Sequence, residues 1–178
     1  MKKETQLSIL REIRDLLKAQ LEPKKESIPN GHVLFDFPEV TAAEIIKKAK
    51  NKTSKSTPIL YNIDSWYKNE DFYLKEKTRP GKRYVSLTVE NKYQTWDECN
   101  NKGEMLNFAE ILYVMVEHEK KTGVKLLENE WSWTSSVSSG GFLVYLGFFD
   151  SLGASVGGAE PGSSVPKFGV LFSRSLEN

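Results

Sequence analysis

The last third of the chain constrains the fold more than any other part, because its composition disfavours helix. Lys, Glu, Gln, Met and Trp make up about 27% of the chain, yet between Val137 and Pro166 only Glu160 belongs to this group. Most other residues there are aromatic residues, Val, Leu, Gly and Ser. Such a composition favours strands and turns. We therefore predict strands over 142–149 and 168–172, with a loop over 151–167 between them.

Three capping-box spacings predict helix starts in the preceding part of the chain. Thr41–Glu44, Thr95–Glu98 and Asn107–Glu110 each place a short polar residue three positions before a glutamate. The first side chain can accept a free helical N–H, while the glutamate reaches back to the N-cap. The third opens a longer helix than the second, and Gly123 should end it. Further strands are predicted over 32–37, 59–63, 72–74 and 83–89.

The N-terminal segment Thr5–Leu21 is typical of an amphipathic helix, since Leu10, Ile13 and Leu17 form an apolar stripe and Pro23 ends it. We divide the chain into this helix (1–22), a linker with a short strand and a short helix (23–57), and an α+β domain (58–178). A lone helix of this length is marginally stable in water. Two alternatives follow: it packs against its own domain, or it forms a homo-oligomer.

Charge and composition exclude several classes of function. The net charge is +1 over 178 residues, which disfavours nucleic-acid binding, and no apolar run is long enough for membrane insertion. No signal peptide is expected, which leaves the virion surface and the cytoplasm open as locations. His32 and His118 lie in no metal-ligand spacing, and no catalytic motif accompanies them. We expect no enzyme activity, no cofactor and no metal.

Several motifs carry a resemblance to a known family. Thr95-Trp-Asp-Glu98, Gly103-Glu-Met-Leu106 and Ala109-Glu110 are similar to a conserved stretch of the C-type lectin fold, in the branch shared with formylglycine-generating enzymes. Trp131-Ser-Trp-Thr-Ser-Ser136 resembles the entrance to that branch's last sheet, and 169–175 resembles its closing strand. The resemblance implies a C-type-lectin-like fold with two helices, mainly antiparallel strands and an added N-terminal helix.

Diversified members of this family carry a variable region between those two anchors, written by a diversity-generating retroelement. The resemblance places it at about 136–167. Apart from Glu160, all residue types between 137 and 166 can arise when the adenines of an AAC or AAT codon are randomised. An ordinary strand followed by a Gly/Ser loop would also lack Lys and Glu, so both explanations stay open.

Departures from the family pattern narrow the expected ligand. Glu160-Pro161-Gly162 lacks the asparagine of the calcium-binding lectins, and Cys99 is the only cysteine, so the paired catalytic cysteines of the enzyme branch are missing. The expected function is therefore recognition of a protein on a host or target surface. The alternatives are a structural virion or tail domain, and an enzyme on the same fold with an unrecognised site.

The expected binding residues follow from the variable region and from strand alternation, which separates the side of Tyr145 from that of Val144. We assign the Tyr145 side to the outside. The aromatic residues would supply contact area, while the serines would adapt their hydrogen bonds. The predicted ligand-binding residues are Ser136, Val137, Ser138, Ser139, Leu143, Tyr145, Phe148, Phe149, Ser151 and Leu152.

Overall fold

The computed structural model describes Arg14 and residues 30–53, 55, 57–163 and 168–175. The predicted helix Thr5–Leu21 lies outside the described residues, apart from Arg14. The described chain has an α+β fold, as the sequence predicted. No helix within it is long and apolar enough to cross a membrane.

The strands form two four-stranded sheets, ordered β1-β2-β8-β3 and β6-β5-β4-β7. All neighbouring strands are antiparallel except β4 and β7. The strands are β1 (His32–Phe37), β2 (Gly81–Ser86), β3 (Glu104–Met105), β4 (Trp131–Val137), β5 (Leu143–Gly147), β6 (Ser155–Ala159), β7 (Phe168–Val170) and β8 (Phe172–Ser175). The helices are α1 (Ala42–Ala49), α2 (Asp71–Leu74), α3 (Trp96–Asn100) and α4 (Phe108–Thr122), with a 3-10 helix at Trp66–Asn69.

All three predicted capping boxes are confirmed, at the starts of α1, α3 and α4. In α4 the Asn107 side chain accepts from the Glu110 N–H at 2.8 Å, and the Glu110 carboxylate accepts from the Asn107 N–H at 2.9 Å. Gly123 ends α4 with φ +70°, a left-handed conformation that glycine adopts without strain. The three boxes fix where these helices begin relative to the sheets.

Two predicted strands are wrong. Residues 59–63 form only an isolated parallel bridge, between Leu60 and Ala154, and side chains satisfy other backbone groups of this segment. In 59–63 the Asn51 side chain binds both backbone polar groups of Leu60, and the Tyr67 hydroxyl donates to the Tyr61 carbonyl. Residues 72–74 belong instead to α2, where the N–H of Leu74 donates to the Glu70 carbonyl at 3.0 Å.

The first-sheet strands are closer to prediction. The strand over 32–37 is confirmed as β1, and that over 83–89 lies at 81–86. Because β1 pairs with β2 and α1 packs on α4, this part of the predicted linker belongs to the same sheet and core as residues 58–163.

The last third is more extensively paired than predicted. The predicted loop contains β6, whose residues pair with β5 from Gly147–Ser155 to Leu143–Ala159. Two glycines in β6 conceal the alternation that would have revealed it. The predicted strand 168–172 is in fact two strands in different sheets. They are divided at Leu171, whose N–H donates to the Ser132 hydroxyl at 3.1 Å.

The main core contains residues from both sheets and from α1, α2 and α4. Val144 and Leu146 of β5 point into it, whereas Leu143 and Tyr145 lie on the opposite side of the strand, as the alternation predicted. That opposite side, predicted to lie on the outside, is also covered. A second hydrophobic cluster, which includes Trp133, Phe168 and residues of α3, packs on it.

Candidate binding surface

The ten predicted binding residues fall into three groups by exposure. Val137, Ser139, Ser151 and Leu152 are exposed, Tyr145 and Phe148 are half-buried, and Ser136, Ser138, Leu143 and Phe149 are buried. The predicted surface position is wrong for the last four, because their side chains have no access to a ligand. Each of them has an identifiable role in the scaffold instead.

The two buried serines hold local structure. The Ser136 hydroxyl accepts from the Phe108 N–H at 2.8 Å, which satisfies one of the free donors in the first turn of α4, and it also hydrogen-bonds the Glu76 carboxylate. The Ser138 hydroxyl accepts from the Phe142 N–H at 3.0 Å, which closes the turn between β4 and β5. Neither hydroxyl is available for adaptable contacts.

The two buried apolar residues complete the two clusters. Leu143 packs in the second cluster, where α3 and the neighbouring strands cover it. Phe149 lies just beyond the end of β5 in the main core and is fully buried, with the Lys125 ammonium 4.9 Å from its ring centroid. The strand ends before Phe149, so the alternation of β5 does not fix its direction.

Tyr145 is part of an aromatic cluster rather than an isolated displayed side chain. Its ring centroid lies 5.0 Å from that of Trp131, 5.7 Å from that of Trp133 and 4.5 Å from that of Phe168. Burial raises the pKa of its hydroxyl. A Cβ on Gly157 would lie 2.2 Å from the ring, so this glycine makes room for it. Tyr145 therefore contributes to the scaffold as well as to the surface.

The exposed predicted residues do not form one surface. Val137 and Ser139 lie at the end of β5 where the chain turns from β4, whereas Ser151 and Leu152 follow its other end. Five strand residues separate the two ends, a distance of roughly 16 Å. The two pairs therefore do not adjoin each other.

One end carries a group of residues that includes three large exposed apolar side chains, which we call the turn patch: Trp66, Val137, Ser139, Phe142 and Gly158. Its three large apolar side chains are exposed to 45%, 47% and 44% for Trp66, Val137 and Phe142. A Cβ placed on Gly158 would lie 3.1 Å from the Cβ of Phe142 and 3.7 Å from the Trp66 ring, so this glycine lies between both side chains.

Backbone and side-chain contacts hold the turn patch in a fixed shape. The Ser139 N–H and hydroxyl both bind the Glu70 carboxylate, at 2.6 and 3.0 Å. The Ser138 N–H donates to the Phe142 carbonyl at 2.9 Å. Trp66 packs on the buried Phe72, with 5.8 Å between ring centroids. The patch is therefore preorganised, which lowers the entropy cost of binding.

A shallow cavity of about 350 Å³ lies beside Val137 and is lined by residues of α2 and by Glu76. Asp71 and Lys75 form an exposed ion pair of 2.8 Å at its edge. Burial raises the pKa of the Glu76 carboxyl, although the hydrogen bond with Ser136 acts in the opposite direction. The apolar patch thus has a polar border.

The strongest electrostatic feature is a buried ion cluster around Glu110. This carboxylate is fully buried and binds the Arg79 guanidinium at 2.6 and 2.9 Å and that of Arg83 at 2.7 Å. Burial alone would raise the pKa of Glu110, but these hydrogen bonds lower it below its ordinary value. Because Glu110 is saturated with donors and has no exposed surface, the cluster is suited to fixing α4 against the first sheet.

Three residues of the turn patch, Trp66, Phe142 and Gly158, are absent from the predicted binding residues. Strand alternation would place Phe142 on the core side with Val144, but Phe142 lies outside β5, where alternation no longer applies. Trp66 stands in a polar stretch, Asp64-Ser-Trp-Tyr-Lys68, and a large aromatic residue in such a setting was an available signal.

Comparison with known proteins adds no assignment: no family model, no curated protein and no solved structure matches the chain. Among the residues that the structure describes, no group of three or more His, Cys, Asp and Glu side chains could hold a metal ion.

Proposed function

We propose that this chain is a ligand-binding protein that recognises a protein surface through the turn patch. The observation that carries this proposal is the juxtaposition of the exposed side chains of Trp66 and Phe142 beside Gly158, with Val137 at the adjoining end of β4. Contiguous exposed apolar surface with a polar border is typical of protein interaction sites.

The chemistry of the patch favours a protein over a sugar. Trp and Phe bury large areas with few rotatable bonds, and Trp is among the residues that most often dominate binding energy at protein interfaces. The charges of Glu70, Asp71 and Lys75 stand around the apolar centre rather than inside it. A partner with an apolar protrusion and a mixed-charge border would complement this arrangement.

The finer proposal is that the scaffold is a C-type-lectin-like fold diversified by a retroelement. Its support is the family resemblance together with the position of Val137, Ser139 and Phe142, which are all exposed and all lie in or beside the stretch without Lys. Trp66 lies outside this stretch. We propose that it is a constant anchor and that the exposed residues around it vary, while buried Ser136 and Ser138 do not.

The genomic test of diversification is direct. We expect a near-copy of the DNA coding for 137–166 beside a reverse transcriptase gene, differing at template adenines in codons for exposed residues. Absence of such a copy, with this stretch invariant among related chains, would contradict diversification. It would favour a structural virion or tail domain, or an enzyme on the same fold.

The binding test uses a displayed library of random peptides, selected on the full chain. Peptides selected on the wild type should lose about 30-fold in affinity when Phe142 is replaced by Ser, which corresponds to about 2 kcal/mol. Tyr93→Ser is the matched control, because Tyr93 is 69% exposed and follows β2, far from the β4–β5 turn in the sequence. Equal loss in both variants, or no loss in Phe142→Ser, would contradict a role for the patch.

A further inference from the structure

A second concave surface lies away from the turn patch, between α1 and α4. This groove has a volume of about 510 Å³. The partly exposed apolar residues Val40, Ala49 and Val116 line it, and the buried Ile59 and Phe149 lie behind them. Phe149 follows the end of β5 that is opposite the turn patch. A segment bound in the groove would therefore leave the turn patch accessible.

The groove contains a carboxylate that requires a counter-charge. Glu119 lines the groove from α4 and is only 2% exposed. Buried carboxylates in proteins are almost always paired, because an isolated buried charge is very costly. Glu119 does have an interaction partner, and so does Arg14. Arg14 is the one described residue in the predicted N-terminal helix.

The predicted helix Thr5–Leu21 matches the groove in character. Its 17 residues would extend roughly 26 Å as a helix, whereas the part of α4 that lines the groove, from Tyr113 to Lys120, extends roughly 12 Å, so a little over two turns of the segment would contact the groove. Its stripe of Leu10, Ile13 and Leu17 needs an apolar surface, which the groove provides. Arg14 directly follows Ile13 and would lie at the edge of that stripe.

The intervening chain is long enough to bring this segment to its own groove. The eight residues 22–29 can span up to roughly 26 Å. β1 begins at His32 and leads to Pro38, which lines the groove, over roughly 20 Å. A short tether gives an effective concentration in the millimolar range, far above that of a second copy in dilute solution.

We propose that Thr5–Leu21 binds the α1–α4 groove of its own chain as an amphipathic helix, with Arg14 paired to Glu119. The segment thus completes the core on this side instead of joining two copies.

The test is a charge exchange in the full chain, read by the initial rate of tryptic cleavage within residues 1–29. Arg14→Glu and Glu119→Lys should each accelerate cleavage at least about tenfold, because the exposed Arg14 faces the buried Glu119 in the proposed pair and either change turns attraction into repulsion; about 1.4 kcal/mol corresponds to tenfold. The double variant should restore slow cleavage. Unchanged rates in both single variants, or no rescue in the double variant, would overturn the pairing.

A second pair of variants tests the apolar contact independently. Val116→Asp, inside the groove, should also accelerate cleavage, whereas Val124→Asp, at a residue 57% exposed just beyond α4, should not. If Val116→Asp fails to fold by circular dichroism, Arg14→Glu still decides, since it changes no residue of the groove.

Light scattering at rising protein concentration distinguishes the two possible occupants of the groove, the N-terminal segment of the same chain and that of a second copy. We expect a monomeric mass at all concentrations. A dimer that Arg14→Glu dissociates would overturn binding within one chain and show that the segment joins two copies. Because none of these variants lies in the turn patch, peptide binding there should be unaffected, so failure here and failure of the proposed function are distinguishable.

Discussion

Two regions of this molecule reverse the usual distribution of polar and apolar side chains. Around Glu110, carboxylate and guanidinium groups are buried, whereas at the turn patch Trp66, Val137 and Phe142 are exposed. Each buried charge has an ion-pair partner, although Nε and Nη1 of Arg83 have no hydrogen-bond acceptor of their own, so the pairs stabilise one arrangement of α4 and the first sheet. The exposed apolar groups have much of their surface open to solvent. Buried charges that have ion-pair partners indicate a structural role, whereas exposed apolar side chains that nothing covers indicate a binding role.

Ser136 connects the start of α4 with the border of the turn patch, because its hydroxyl binds both the Phe108 N–H and the Glu76 carboxylate beside the cavity. The comparison leads to four predictions, which test whether the first region is scaffold and the second is free to vary.

The largest effect is expected for Glu110→Gln. Removing this charge leaves the buried Arg83 guanidinium with only the more distant Glu104 at 3.6 Å, and breaking a buried pair costs about 3–5 kcal/mol. Urea unfolding of the full chain measures the loss. Glu104→Gln is the control: Glu104 is partly exposed, so it should cost about 1 kcal/mol or less. Equal effects would show that the cluster has no single centre.

Acid should destabilise the protein through the same residue. The pKa of Glu110 is lower folded than unfolded, so its contribution is complete above the ordinary carboxyl pKa and is lost as pH falls through the folded value. Glu76 has a raised pKa and therefore acts in the opposite direction. Unfolding between pH 3 and pH 7 should show a smaller pH dependence in Glu110→Gln. Glu76→Gln should be as stable as the wild type at pH 7 or more stable. A larger pH dependence in Glu110→Gln would contradict the lowered pKa of Glu110, and a less stable Glu76→Gln at pH 7 would contradict the raised pKa of Glu76.

A smaller effect is expected for Ser136, which connects α4 with the border of the turn patch. Ser136→Ala leaves the Phe108 N–H without its acceptor at the start of α4, a loss of about 1–2 kcal/mol. Ser139→Ala, on the exposed side of the same turn, should change the free energy of unfolding by less than about 0.5 kcal/mol. Thermal or urea unfolding compares the two. If Ser139→Ala is the more harmful, the turn is held chiefly by its Glu70 contacts.

Local patterns in the sequence predicted the three capped helices well, but not α2, where a strand was predicted. The capping boxes at Thr41, Thr95 and Asn107 were all confirmed because capping depends on residues three positions apart. Strand β6 was not predicted because two of its residues are glycines, Gly157 and Gly158. They make room for side chains that are distant in the sequence, the Tyr145 ring and the side chains near Phe142. Such a contact leaves no periodic signal.

The candidate site was predicted only in part for the same reason. Composition drew attention to residues 137–166 but did not distinguish exposed Val137 from buried Ser136, since strand alternation depends on the position of a turn that the sequence did not fix. Trp66 joins the turn patch because it packs on Phe72 of α2 and lies beside Gly158 of β6. No local sequence pattern predicts these contacts. In this region burial, not residue type, distinguishes the candidate binding residues from the residues that hold the scaffold.

The smallest effect concerns a pair of residues that face each other across the turn. Val137 and Leu143 are paired in the register of β4 and β5, but the first is exposed and the second is buried in the second cluster. Val137→Ser, Val137→Tyr and Val137→Asp should each stay within about 0.5 kcal/mol of the wild type, as is usual at exposed positions. Leu143→Ser should cost several times more, about 2–4 kcal/mol.

Urea unfolding of these four variants decides the matter without knowledge of the ligand. If the Val137 variants lose as much stability as Leu143→Ser, folding depends on the identity of residue 137 and a diversified surface could not include it. If they do not, the two sides of one strand pair have separate roles. Leu143 would then maintain the fold whatever stands opposite, because it belongs to the buried cluster that includes Trp133 and Phe168.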